Sequence, residues 1–382
     1  MEKQGKLRVG IAGWGSSCVS YVRSLTQIDS AQALVAVDPY HPHALEISRI
    51  APSLAFKGDI LTLVSGSDVD AVIFCEPTGN IFPLLKRALQ CNKHVMASSA
   101  SAISSRQLQE LARLAGRQRR LLMFAEERLF HPALTFLRRM LSEKSGLWRP
   151  QYLRGLSISG TSNGDAPPFA SLVEEALALC ARLIEAQPDT ISGIACRTSG
   201  HADPVAAFLN LTYGEGKVAS LQISLAEAQE VRQWVLATAS KTILVDECDP
   251  RAPLRIISSN ATGMAAGLLH SNPPTPLSDW PGESTVTPPV IAADPATELC
   301  RHFVESALKR DLNQGNALFW ADVASTWEAA QQSMALSGAP VGVATGLGGE
   351  TARKHPQLKL IRGRGVGDIN QGKRPILTVV SR

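Results

Sequence analysis

From Leu7 to Val95, short apolar runs rich in β-branched residues alternate with stretches of helical periodicity, and one more helix and strand complete this half. A parallel sheet with crossover helices reads this way, because its strands are buried on both faces and its helices on one. The pattern predicts strands at Arg8 to Ala12, Leu34 to Val37, Ala71 to Cys75, Lys93 to Ala97 and Leu121 to Ala125. Helices are expected at Cys18 to Leu25, Pro42 to Ile50, Ile60 to Ser65, Ile81 to Cys91 and Ser104 to Arg117.

After Phe130-His131-Pro132 the character changes. A helix at Ala133 to Ser142, a strand near Tyr152 to Ser159 and a helix near Leu172 to Ala186 lead into strand-like segments with no helix between them. These are Thr190 to Arg197, Ala206 to Tyr213, Lys217 to Ser224, Arg232 to Thr238 and Thr242 to Asp246, and their succession implies a largely antiparallel sheet. Ser271 to Pro289, rich in Pro, Ser and Thr, reads as a surface loop, and helices follow at Ala296 to Lys309 and Phe319 to Ser337. The end, Thr345 to Arg382, is Gly-rich and carries eight Lys or Arg against two acidic residues, with Ile376 to Val380 as a candidate edge strand. The expected organisation is α/β. A doubly wound parallel-sheet domain spans 1–127, an α/β domain with an open, largely antiparallel sheet spans 128–344, and a basic extension spans 345–382.

At 382 residues, two domains are the default prior. A net charge of +4, spread along the chain, gives no dense basic footprint for nucleic acid, so a small-molecule partner is expected. The seven cysteines include no Cys-x-x-Cys pair, which suits a reducing compartment. The polar start, Met1 to Arg8, and the lack of any apolar run near the ~20 residues that span a bilayer point to a cytoplasmic protein without a membrane partner. No His/Cys cluster has the spacing of metal ligands, and no metal is expected.

Chemistry enters at Val9-Gly10-Ile11-Ala12-Gly13-Trp14-Gly15-Ser16-Ser17-Cys18. Gly13-x-Gly15 stands directly after a strand and before a helix, where glycines allow a tight turn and close backbone approach to a pyrophosphate. Cys18 takes the place of the third glycine and is small enough to sit where helix and strand pack. Asp38 ends the second strand about twenty residues on, where an acid grips the adenosine ribose hydroxyls. This is a Rossmann-type dinucleotide fingerprint. Asp38 would repel a ribose phosphate, so NAD is the expected cofactor and NADP the alternative.

Further segments resemble the glucose-fructose oxidoreductase/inositol dehydrogenase/rhizopine catabolism (Gfo/Idh/MocA) family. Asp68 to Thr78 looks like that family's strand and cofactor loop, Asn92-Lys93-His94-Val95 like its next signature, Val205 to Ser224 like its paired strands, and Ala329 to Gly338 like its closing helix. The resemblance runs roughly from Leu7 to Val343. It implies cofactor contacts from Gly13, Trp14, Gly15, Ser16, Ser17, Asp38, Glu76, Pro77, Thr78 and Ser98, hydride transfer on a sugar derivative or biosynthetic intermediate, and self-association through the second-domain sheet into a homo-oligomer.

Three departures stand out. Where the family has Glu-Lys-Pro, with a lysine that contacts substrate and nicotinamide, this chain has Ser98-Ser99-Ala100. Where the family has Asp-x(3)-His, with the histidine as acid/base, the best alignment gives Glu174 and Ala178, and a further family histidine is replaced by Ile81. Acid/base candidates are therefore Glu126, Glu127, Glu174 and Ser99, although a plain serine needs an activating partner. Glu126-Glu127-Arg128 can also be a solvated turn, and Glu174-Glu175 can simply serve the dipole of a helix start. Two alternatives stay open beside an oxidoreductase: a catalytically silent dinucleotide sensor or regulatory subunit, and an imine reductase with relocated acid/base groups.

Overall fold

A computed structural model describes residues 6–13, 16–37, 43–52, 54–57, 59–75, 81–101, 103–142, 150–160, 168–198, 204–238, 241–258, 284–290 and 293–344. The first lobe is built from β1 (Leu7–Ala12), α1 (Ser16–Thr26), β2 (Ala31–Val37), α2 (Ala44–Ile50), β3 (Ala55–Lys57), α3 (Ile60–Ser65), β4 (Ala71–Phe74), α4 (Phe82–Gln90), β5 (His94–Ala97), α5 (Ser105–Gln118) and β6 (Leu122–Phe124). All six strands are parallel, in the order β3-β2-β1-β4-β5-β6, so the chain reverses direction across the sheet between β1 and β4. β4 and β5 are buried at every position, which explains their unbroken apolar sequence. Helix starts are set by local capping: the Asp59 carboxylate accepts from the Leu61 and Thr62 amides, and Ser104 with Gln107 forms a reciprocal capping box.

A 3-10 turn, Glu127–Phe130, carries the chain into the second lobe. There α6 (Pro132–Ser142), β7 (Tyr152–Ile158), α7 (Phe169–Ile184), β8 (Thr190–Cys196), β9 (Ala206–Thr212), β10 (Val218–Ser224), β11 (Val231–Ala237), β12 (Lys241–Asp246), β13 (Leu254–Ser258) and β14 (Ser284–Val286) follow in turn. Next come α8 (Pro295–Lys309), α9 (Ala317–Ala335) and β15 (Val341–Gly342). The nine strands are ordered β14-β13-β12-β11-β7-β10-β9-β8-β15. Every adjacent pair is antiparallel except β7 with β10, which is parallel because α7, β8 and β9 intervene. α7 and α9 cover one face, where Trp234 is fully buried. Gly155 lies beneath it, and a Cβ there would meet the indole ring at 2.4 Å. α8 packs instead against α1 and the first sheet, with Leu299 and Phe303 joining Val9, Ile11 and Cys18 in one apolar cluster.

The structure adds four short strands to the sequence expectation: β3, β13, β14 and β15. β14 falls inside the stretch expected to be loop and pairs with β13 at the sheet edge through Ser284 to Val286. The helix expected at Leu172 begins three residues earlier, at Phe169, so Glu174 stands in its second turn and does not complement the dipole. The candidate strand at Ile376 to Val380 lies outside the described residues. Among the described residues no helix is long and apolar enough to cross a membrane, and no cluster of His, Cys, Asp or Glu could hold a metal ion.

Candidate active site

The turn that leaves β1 shows why glycine is needed there. Gly13 has φ +107°, and a Cβ would stand 2.2 Å from the Cys75 carbonyl oxygen at the end of β4. Only a residue without a side chain lets the chain pass between β1 and β4 and deliver α1 to the carboxyl edge of the sheet. Cys18 is fully buried among Val9, Ile11 and Cys75, filling the helix–strand contact that a third glycine would otherwise tighten. Trp14, Gly15, Asp38, Glu76, Pro77 and Thr78 lie outside the described residues, as does the Ser16 side chain.

A cavity of about 210 Å3 opens at this edge, between the lobes. Ser17 and Tyr21 of α1 line it, with Ser98 after β5, the turn after β6, Ala178 of α7 and Trp320 of α9. Crevices beyond strand carboxyl ends, where the strand order reverses, are where open α/β sheets hold nucleotides. Gly13, the start of α1 and the serines Ser17 and Ser98 thus suit a dinucleotide, whose reactive ring would supply or accept a hydride. A larger cavity, about 380 Å3, is bounded by Arg138, Arg182, Tyr213 and Asp322 and touches neither the β1–α1 junction nor the segment after β5.

The acidic turn after β6 is not solvated. Glu126 holds Arg182 of α7 through Nε at 3.1 Å and a terminal nitrogen at 2.9 Å, and it accepts from the Asn316 amide at 2.6 Å. Arg182 in turn stacks on Phe319, 3.6 Å from the ring centre. Two residues on, Arg128 is bidentate to Glu247, which also accepts from the Trp234 indole at 3.0 Å. Between these ties Glu127 shares a hydrogen bond with the buried Tyr21 hydroxyl. Burial raises its pKa, the Tyr21 bond opposes that, and the fields of Glu175 and Asp294 add to it.

Glu174 lies in a different setting. It is only 6% exposed, and its Oε2 accepts from the Ser101 hydroxyl at 2.8 Å. Ser101 Oγ stands 2.9 Å from Ser171 Oγ and accepts from the Ser99 hydroxyl at 2.9 Å, while Ser99 Oγ accepts from the Ser101 amide at 3.0 Å. Burial pushes the Glu174 carboxyl up to about 7, against the Ser101 bond and with the help of Glu175. Two of the four acid/base candidates, Ser99 and Glu174, are therefore joined through one hydroxyl. Ser101 and Ser171 were missed from sequence. The available signal was a Ser98-Ser99-x-Ser101 run together with an acid three residues after Ser171 on an otherwise apolar helix.

A two-lobed α/β protein with a crevice at the carboxyl edge of its parallel sheet is the class this geometry defines. Residues 7–126 match the model of an oxidoreductase family with an NAD-binding Rossmann fold. No curated protein matches the sequence. Among solved structures, UDP-N-acetylglucosamine 3-dehydrogenase from Acidithiobacillus ferrooxidans superposes with a TM-score of 0.70 at 17% identity, covering 86% of this chain and 97% of that one. Levoglucosan dehydrogenase, in complex with NADH and L-sorbose, gives 0.72 at 14% identity, with 89% and 100% covered. A putative myo-inositol dehydrogenase from Sinorhizobium meliloti gives 0.66 at 16%, again with 89% and 100%. The match to the oxidoreductase family model is confined to residues 7–126, and the two-lobed fold of the chain is the fold of these structures.

Proposed function

We propose that the protein is an NAD-dependent oxidoreductase, with NADP as the alternative cofactor, that transfers hydride to or from a small polar metabolite of sugar type. The observation that carries this reading is the junction at Gly13: a backbone conformation and a Cβ-free contact that bring the start of α1 to the same crevice as Ser17 and Ser98. The family of residues 7–126 supports the cofactor class, and the substrates named in the similar structures support a polyhydroxylated one. In this reading the β1–α1 turn binds the diphosphate, Ser98 and Ser17 orient the ribose and ring, and the inter-lobe walls exclude water. Calorimetric titration with NAD+, NADH, NADP+ and NADPH tests it. Micromolar binding of at least one is expected, and no heat with any of the four would remove the reading.

A second reading is favoured by one observation: the positions of the family lysine and histidine hold Ser99 and the buried Ala178. It is a dinucleotide sensor without turnover. Hydride transfer with any polyol or sugar would exclude it. In either case we expect self-association through the sheet face opposite α7 and α9, where Tyr152, Ile194, Phe208 and Val218 are exposed among the described residues, and light scattering would detect it.

A further inference from the structure

We propose that Ser99, Ser101 and Glu174 form a proton relay in which Ser99 Oγ exchanges a proton with the substrate and Glu174 stores it. This rests on the oxidoreductase reading of the crevice: Ser98 and Ala178 line it, and Ser99, which follows Ser98 but is not itself a lining residue, is partly exposed and is required to reach the substrate from beside that wall.

The hydrogen-bond inventory gives the relay a direction. A serine hydroxyl has one proton and two lone pairs. Ser101 donates its proton to Glu174 and accepts one from Ser99, and the contact with Ser171 Oγ takes its remaining lone pair. With Glu174 ionised, every proton in the chain therefore points toward the carboxylate, and Ser99 Oγ offers a lone pair outward as an acceptor. When Glu174 gains the proton on Oε2, it donates to Ser101, which can turn its own proton back toward Ser99, and Ser99 then becomes an outward donor. The same three groups thus present a base in one state and an acid in the other.

Each step balances. In the oxidation of a secondary alcohol the hydroxyl proton passes to Ser99 Oγ, the Ser99 proton to Ser101 Oγ, and the Ser101 proton to Glu174 Oε2. The carbon would be oxidised by two electrons, leaving with its hydrogen as hydride to a bound dinucleotide. Reduction of a ketone runs the chain in reverse. Only Ser99 touches the reacting atoms, and Ser101 and Glu174 act through it.

The surroundings tune the store without short-circuiting it. On α7, Glu175 raises the proton affinity of Glu174. Arg128 from the 3-10 turn and Arg232 from β11 lie 3.8 and 4.0 Å from Glu175. On α9, Glu328 is engaged with the amide and hydroxyl of Ser105. Among the described residues the hydrogen bond to Glu174 comes from a hydroxyl, that of Ser101, which carries a proton but cannot neutralise the carboxylate.

The test uses the full chain without cofactor, followed by infrared spectroscopy from about pH 5 to about pH 9. A protonated-carboxyl band that titrates with a midpoint near 7 is expected in the wild type and should be absent from Glu174→Gln. Ser99→Ala should raise the midpoint by several tenths of a unit and shift the band, because losing the outer donor weakens the bond that Ser101 makes. Absence of the band in the wild type, or a band and midpoint unchanged in Ser99→Ala, would overturn the relay. Calorimetry of NAD+ binding in two buffers of different ionisation heat adds a second readout. The cationic ring beside the relay should expel a fraction of a proton from the wild type and none from Glu174→Gln, and equal release from both would contradict the assignment. If NAD+ does not bind, the cofactor reading fails, while the cofactor-free titration still decides the relay. Ser99→Ala removes one hydroxyl only, so the test survives even if Glu174→Gln does not fold.

Discussion

Glu126 and Glu174 are both buried carboxylates beside one cleft, yet their partners differ in kind. Glu126 faces a guanidinium and an amide, whereas Glu174 accepts from the Ser101 hydroxyl. A cation in contact offsets the desolvation of a carboxylate, while neutral donors offset only part of it. One acid therefore serves as a fixed tie between lobes, and the other is left near its titration point. The residues on either side of the lobe junction divide the same way: Arg128–Glu247 is a second tie, and Glu127, held by Tyr21, is not.

The sharpest way to break this contrast is to cut a tie. Arg128→Ala strands the buried Glu247 and should cost about 3 to 5 kcal/mol, read as a lower urea midpoint. The opposite sign is expected for Glu174→Gln above neutral pH. A carboxyl whose proton affinity rises on folding binds more protons folded than unfolded, so its contribution to stability falls as pH rises from about 4.5 to about 7. Wild type should lose up to about 3 kcal/mol across that window, and Glu174→Gln should lack the slope and be the more stable protein at about pH 8. Glu126→Gln should destabilise by about 1 to 2 kcal/mol, because Arg182 is partly exposed and solvent screens what is left. Ser171→Ala should change stability by less than about 1 kcal/mol while shifting the Glu174 midpoint upward, which separates a tuning hydroxyl from a structural one. Thermal and urea unfolding at two pH values would order all four.

The first lobe was legible because its signals are local. Gly13 follows a strand, helix starts carry Asp59 or Ser104, and fully buried strands read as apolar runs. In the second lobe, the succession of strand-like segments with no helix between them revealed the strands, but the parallel β7–β10 pair was hidden because a crossover leaves no mark in periodicity. The short edge strands β3, β14 and β15 have too few residues to show a period, and β13 was missed although Leu254, Ile256 and Ile257 are buried. The site was half legible. Ser99 and Glu174 were visible as oddities against a family pattern, but the hydroxyl that joins them belongs to a contact across 73 residues of sequence. The acidic turn misled for the same reason, since Arg182, Asn316 and Glu247 are its partners only in three dimensions.

The most direct test of the account is a crystal structure of the protein grown with NAD+. We expect the diphosphate against the turn at Gly13 and the nicotinamide beside Ser98 and Ser99, within hydrogen-bond reach of the relay. A dinucleotide seated instead in the cavity of Arg138, Tyr213 and Asp322, or a crevice closed by its own side chains, would contradict it.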